Sequence, residues 1–132
     1  MNQLKRKDLL YPELSYKVIG ILFDAYNTMG YKYQERYYQR AIANLFEEVG
    51  LHYQEQVLVK LVIHHKVVAN GFIDFIVEEK IAIEIKRGER FLKQNIDQLY
   101  SYLKLTGIKL GILANFTSRG LQFKRIVNIN NS

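Results

Sequence analysis

Two short apolar segments near the middle of the chain each contain one carboxylate. Residues 72–77 read FIDFIV and residues 81–86 read IAIEIK, with three residues between them. Apolar runs rich in β-branched residues and joined by so short a connection predict an antiparallel hairpin. In that hairpin the two acids, Asp74 and Glu84, lie opposite each other. The same register pairs Val77 with Ile81, Ile76 with Ala82, and Phe75 with Ile83.

The two acids share one face of the predicted hairpin. Directly opposed side chains lie about 4.5–5.5 Å apart, where like charges repel. Lys86 lies two residues beyond Glu84 and therefore on the same face. The other face is wholly apolar and predicts the core: Ile73, Phe75, Val77, Ile81, Ile83 and Ile85. Two opposed acids favour a cation between them, so the pattern predicts a metal site, and the neighbouring lysine indicates phosphate chemistry.

The composition predicts one globular domain over residues 1–132. Hydrophobic residues make up 48% of the chain and there is one proline, which excludes a disordered or low-complexity class. The absence of cysteine excludes disulfides, thiolate zinc sites and cysteine nucleophiles. No apolar run reaches the roughly 18 residues that a membrane span needs. No signal-peptide core follows residues 1–8, which we expect to be a flexible basic segment, so the sequence predicts a cytoplasmic protein without membrane contact.

The net charge of +6 favours a polyanionic partner. Basic residues cluster near both ends of the chain, and Arg87, Arg90 and Lys93 follow directly after the Glu-Ile-Lys segment. Positive charge so close behind a carboxylate site is what a phosphate backbone requires, and these three residues are candidate nucleic-acid contacts. An ordinary solvated surface is the alternative.

Hydrophobic periodicity predicts three helices. They span about residues 12–30, 33–49 and 93–106, and the second has Tyr38, Ile42, Leu45 and Val49 inward, with Gly50 after its end. Strands are predicted at 56–64 and 109–115 besides the central hairpin, with a turn at His65-Lys66, a break at Asn70-Gly71 and a last edge strand at 123–129. The order α-α-β-β-β-α-β predicts an α/β or α+β fold with helices on both sides of a sheet.

Phosphodiester hydrolysis needs an activated water and stabilisation of the developing negative charge, and hard divalent ions supply both. Magnesium prefers carboxylate oxygens and retains several waters. Asp74 and Glu84 would supply two ligands and the main-chain carbonyl of Ile85 a third. Lys86 would hold the attacking water or stabilise the developing charge. The alternative is a cross-strand salt bridge of Lys86 with one of the acids on a solvated face, which accounts for only one of the two.

This arrangement resembles the PD-(D/E)xK nuclease superfamily and, more narrowly, the GxxExxY family of small bacterial proteins. The resemblance runs from Leu9 to Val127 and includes the segments at 98–103, 104–107 and 109–116. It implies a restriction-endonuclease-like core, a central mixed sheet flanked by helices. It also implies a magnesium or manganese cofactor.

In the motif that names the GxxExxY family, Glu35 and Tyr38 match. Lys32 stands at the place of its first glycine, with Gly30 two residues earlier, and Tyr26 stands where the family often has a histidine. By this resemblance Glu35 is the helix-borne acid that approaches the metal. The alternative is an acid that favourably meets the helix dipole.

Gln98 and Tyr102 lie four residues apart and so on one side of their helix. Related recombination-type nucleases have a Gln and a Tyr so spaced beside the lysine. The alternative is the polar flank of an amphipathic helix.

The sequence thus predicts a metal-dependent nuclease acting on DNA or RNA. The alternative is a nucleic-acid-binding or partner-binding module that retains the fold without turnover. The small size favours a homodimer or a protein partner.

Overall fold

The computed structural model describes residues 10–129, so the segment 1–8 that we expect to be flexible lies outside the described residues. Two helices precede three strands, a third helix and two strands, which confirms the predicted order and makes the last segment a fifth strand. The elements are α1 (Pro12–Met29), α2 (Glu35–Glu48), β1 (Tyr53–Ile63), β2 (Lys66–Val77), β3 (Ile81–Arg87), α3 (Lys93–Thr106), β4 (Leu110–Thr117) and β5 (Gly120–Val127).

The five strands form one mixed sheet in the order β1-β2-β3-β4-β5. Every neighbouring pair is antiparallel except β3 and β4, which are parallel and are joined through α3. Parallel neighbours need such a crossover, because their ends lie at opposite edges of the sheet.

Helices cover both faces of the sheet. One cluster of buried side chains joins α1 and α2 to Phe75, Ile83 and Ile85, and a second cluster joins α3 to Ile76 and Ala82. Because β3 and β4 are buried on both faces, they read as nearly continuous apolar runs. Within residues 10–129 no helix is both long enough and apolar enough to cross a membrane.

The third helix has the predicted bounds, but the second differs in its buried side. Val49, which the sequence predicted to be buried, is 51% exposed, and Phe46 is buried instead. Helix α2 ends at Glu48, so Val49 lies beyond the helical periodicity from which its burial was predicted. Gly50 has a φ of 77°, as expected for a residue that ends a helix.

The predicted break at Asn70-Gly71 is wrong. The chain turns at His64 and His65, which both have positive φ, one residue before the predicted turn, and β2 continues through Gly71 to Val77. Gly71 is opposite Val59 in the ladder. A Cβ atom at Gly71 would lie 2.0 Å from the hydroxyl oxygen of Tyr102. The glycine is therefore explained by the close approach of α3, a role that glycine commonly has inside strands.

We expect Gly71→Ala to destabilise the protein by about 1–3 kcal/mol, because the added methyl group overlaps the Tyr102 ring and must displace it. Gly20→Ala is the matched control, because Gly20 lies in α1 with no atom within 4 Å of an added Cβ. This control should leave stability unchanged or raise it by roughly 0.5–1 kcal/mol. Urea unfolding measures both, and equal stability of the two variants would contradict the packing described.

Candidate active site

The hairpin of β2 and β3 brings the two predicted acids together. The ladder confirms three predicted pairs, Val77 with Ile81, Ile76 with Ala82, and Phe75 with Ile83. The predicted main-chain pairing of Asp74 with Glu84 is wrong, since the ladder ends one residue earlier. There the carboxylates replace the main chain: Glu84 Oε1 accepts from the Asp74 N–H, and Asp74 Oδ2 accepts from the Ile85 N–H, both at 2.8 Å. Each strand is thus tied to the other through an acidic side chain.

This pair of acids lies largely out of water. Glu84 is 5% exposed, and Ile76 and Ala82 on its face pack against α3. The alternative interpretation placed these acids on a solvated face of the sheet, and the burial of Glu84 contradicts it. The predicted core face is wrong at Ile73, which packs in the cluster with Val59 and α3 and not in the cluster of Phe75.

Burial disfavours the charged form of both acids, and the charge of Asp74 adds to this effect at Glu84. Desolvation, with the nearby charge of Asp74, raises the pKa of Glu84 to about 8. Desolvation likewise raises the pKa of Asp74, against hydrogen bonds from Ile85 and Gln56 and the charge of Lys86. Strongly raised carboxyl pKa values in a polar cluster are typical of functional sites and are relieved by a bound cation.

The raised pKa of Glu84 makes stability without metal depend on pH. Its ordinary value is 4.5, so between pH 4.5 and 8 the folded state holds a proton that the unfolded state has lost. Stability should therefore fall as the pH rises through this window, and it should level off above the window. Urea unfolding from pH 5 to 8 in a chelator measures this slope. Glu84→Gln should flatten the slope, and an equally steep slope in that variant would contradict the assignment.

Lys86 is half-buried at the end of β3 that carries the acids. The only side-chain salt bridge within residues 10–129 joins Lys93 and Asp97 at 2.7 Å, so the alternative of a Lys86 salt bridge with Asp74 or Glu84 is wrong. Lys86 instead lines a cavity of about 610 Å³ that also contains Glu35. Its charge opposes the rise in the pKa of both Asp74 and Glu84, so the amine acts on the acids without a direct ion pair to either.

Glu35 is the first residue of α2 and reaches the same end of the sheet. Its Oε2 atom accepts from the Arg87 N–H at 3.3 Å, and its charge contributes to the raised pKa of Glu84. The buried Tyr38 holds the preceding loop, since its hydroxyl donates to the Gly30 carbonyl at 2.7 Å and accepts from the Tyr33 N–H at 3.2 Å. The tyrosine of the predicted motif therefore fixes the loop from which Glu35 starts its helix.

The structure places Tyr102 near the two acids. Burial and the negative charges of Glu84 and Asp74 raise the pKa of the Tyr102 hydroxyl. Gln98 is exposed one turn earlier on α3, and both side chains line a groove of about 660 Å³ between α3 and the β1–β2 hairpin.

The three predicted phosphate contacts have different surroundings. The Arg87 side chain donates to the Tyr31 carbonyl and lies over the Tyr31 ring. Lys93 is exposed and paired with Asp97. Arg90 is exposed beside the cavity of Lys86. Arg90 is therefore the most available of the three cations, and Lys93 would exchange a surface pair for a phosphate at little cost.

Sequence reasoning missed two residues at this site. Gln56 has a φ of 50° and donates to Asp74 Oδ1 at 3.2 Å. The β1 pattern gave no signal for it. Asn115 lies opposite Lys86 in the parallel ladder and is 2% exposed. An asparagine inside an otherwise apolar strand is a signal that could have identified it.

The donors fit a hard divalent ion with few protein ligands. Asp74 accepts at both oxygens, from the Ile85 N–H and from Gln56, whereas Glu84 Oε2 has no hydrogen bond within residues 10–129. In that part of the chain no three His, Cys, Asp or Glu side chains lie together as a ligand set. Two carboxylates, a main-chain carbonyl and water suit magnesium, which retains several waters.

The fold agrees with the family comparison. A family model of the PD-(D/E)XK nuclease superfamily matches residues 12–126, which is most of the chain. The chain therefore belongs to the PD-(D/E)XK nuclease superfamily, whose members generally use divalent metal ions. No curated protein matches the sequence.

A solved structure shares the fold at low sequence identity. The structure titled "Crystal structure of SSO0001" is 23% identical with a TM-score of 0.56, over 68% of this chain and 48% of that one. An alkaline exonuclease, LHK-Exo from Laribacter hongkongensis, is 18% identical with a TM-score of 0.48, over 65% of this chain and 52% of the exonuclease. The chain spans about half the length of each of these proteins.

Proposed function

We propose that this protein is a metal-dependent nuclease that hydrolyses phosphodiester bonds of DNA or RNA. The observation that carries the proposal is the crossed pair of acids with an unpaired lysine at the same strand end. Asp74 and Glu84 are held by each other's strands, and Lys86 makes no salt bridge within residues 10–129. A purely structural pair of acids needs no lysine kept free beside it.

Each residue has a separate role in this proposal. Asp74, Glu84 and the carbonyl of Ile85 would hold Mg²⁺ or Mn²⁺, with Glu35 approaching from α2. The ion supplies an activated water and neutralises charge on the phosphate. Lys86 orients the attacking water or stabilises the negative charge that develops on the phosphate oxygens. Tyr102 and Gln98 line the adjoining groove, where they position the nucleotide chain.

Substrate affinity comes from phosphate contacts of Arg87, Arg90 and Lys93. Replacing all three with alanine should weaken nucleic-acid binding and lower its salt dependence by up to about three units of log–log slope, because fewer counterions are released. Cleavage should recover at high substrate concentration. Fluorescence anisotropy over a range of salt concentrations measures the slope.

A matched control removes three exposed lysines elsewhere, Lys17, Lys80 and Lys109. It changes the net charge equally and should alter the slope much less. Equal slopes for the two triple variants would contradict a localised phosphate-binding surface.

We further propose that the protein belongs to the GxxExxY family, on Glu35 and Tyr38, and that residues 1–132 form one nuclease domain in the cytoplasm. A homodimer or a protein partner would supply the specificity for which so small a domain has little surface.

A substrate panel tests the function. Single-stranded, duplex, branched and RNA substrates are incubated with magnesium or manganese, and chelation is the control. Metal-dependent cleavage of any of them supports the proposal. Binding without cleavage throughout would favour the alternative of a binding module, and neither binding nor cleavage would contradict a nuclease acting alone.

A further inference from the structure

The carboxamide of Asn115 is buried without a partner beside the proposed catalytic lysine. Asn115 is 2% exposed, and its Nδ2 atom has no hydrogen-bond partner among residues 10–129. A buried donor left unsatisfied costs stability. Because Asn115 is opposite Lys86 in a parallel ladder, the two side chains lie on the same face of the sheet.

Asn115 lines the cavity of about 610 Å³ that contains Lys86. The strand-to-helix connection closes this cavity, with Arg90 on one side and Asn95 in the first turn of α3. The Asn115 Oδ1 atom lies 3.9 Å from where a Cβ would be at Gly88, so the carboxamide lies beside this connection. The terminal torsion of an asparagine is soft, and a rotation turns its NH₂ group into the cavity.

The cavity suits an anion. Lys86, Arg87 and Arg90 line it against two acids, Glu35 and Glu89. Both acids are already engaged, Glu35 by the Arg87 N–H and Glu89 by the hydroxyl and N–H of Ser118. In addition, α3 begins here with no acidic residue in its first turn and no side-chain cap on its free N–H groups. A helix N-terminus of this kind favours negative charge.

We propose that this cavity binds the phosphate next to the one that is cut, and that Asn115 Nδ2 donates to it. The inference rests on the proposed function, since it assigns a second phosphate of the same nucleic-acid strand to this site. Asn115 is then a positioning residue: it fixes the strand so that the scissile phosphate lies at Lys86. A buried carboxamide without a protein partner carries a stability cost, which is expected of a site that is completed only by substrate.

The test replaces Asn115 with leucine, which has a similar size and no donor. We expect the variant to be at least as stable as the parent protein without nucleic acid. Its affinity for thymidine 5′-monophosphate and for a single-stranded oligonucleotide in chelator should fall roughly tenfold, as for loss of a hydrogen bond to a charged group. In the parent protein, the Asn115 side-chain NH₂ resonances should shift on titration with the mononucleotide.

Asn128→Leu is the matched control. Asn128 is also 2% exposed, but its Nδ2 atom donates to the Leu103 carbonyl at 3.3 Å at the other end of β4. This control should lose stability and keep its affinity.

Two results from the variants would overturn the inference: unchanged affinity of Asn115→Leu, or an equal loss of affinity in both variants. Unchanged affinity together with lower stability of Asn115→Leu would indicate a bound water. The absence of mononucleotide binding by the parent protein would overturn it as well. The proposed nuclease function is tested separately. Cleavage without mononucleotide binding would support the nuclease and contradict the phosphate site. Mononucleotide binding without cleavage would support the phosphate site and not the nuclease.

Discussion

Lys86→Ala should abolish cleavage and leave nucleic-acid binding nearly intact. The amine lies beside the acids without a salt bridge within residues 10–129, so its charge is available to the reacting phosphate. Loss of one group that stabilises developing charge lowers a rate by about 10²–10³-fold. Affinity depends on many phosphate contacts and should change by less than about threefold. Single-turnover cleavage and anisotropy on the same oligonucleotide measure the two effects.

Lys109→Ala is the control, because Lys109 is exposed just before β4 and far from the acids. It should cleave as the parent protein does. If Lys86→Ala kept most of its cleavage rate, or lost affinity in proportion to its rate, the lysine would be a binding residue and not part of the chemistry.

Magnesium or manganese should raise the melting temperature, and Glu84→Gln should remove that response. A cation relieves the repulsion between Asp74 and Glu84, and at a hundredfold excess over Kd it adds about 2.7 kcal/mol to the folded state. For a domain of this size that corresponds to roughly 5–15 °C. Without metal, Glu84→Gln should be at least as stable as the parent at pH 8, because the glutamine Oε1 can still accept from the Asp74 N–H while the buried charge is gone.

Glu48→Gln, at the exposed end of α2, is the control and should keep the full response to metal. Thermal unfolding in chelator and in millimolar metal gives both values. Identical melting curves of the parent protein with and without metal would count strongly against a site at these acids.

The central hairpin could be predicted from sequence because two constraints agree there. The two-residue period of a strand fixes which side chains share a face from Phe75 onward, and the short connection fixes the register of Val77 with Ile81; Ile73, beyond the end of the ladder, packs on the other face. The order of elements followed from periodicity in the same way. What could not be predicted is the exchange of main-chain for side-chain hydrogen bonds at Asp74 and Glu84, because it depends on where the ladder ends.

Gly71 shows a second limit of sequence reasoning. A glycine after an asparagine is typical of a turn, yet this one lies inside β2 because the Tyr102 ring comes from a helix about thirty residues later in the chain. Gln56 and Asn115 are similar, since their partners in space come from other elements. Local patterns report local structure, and contacts between distant elements appear only once the sheet is assembled.

The most direct test of the site is a crystal structure of the protein soaked with manganese, with anomalous diffraction to locate the ion. We expect one strong anomalous peak between the carboxylates of Asp74 and Glu84, within bonding distance of the Ile85 carbonyl. No peak at these acids at millimolar manganese, or a peak bound only elsewhere on the surface, would contradict it.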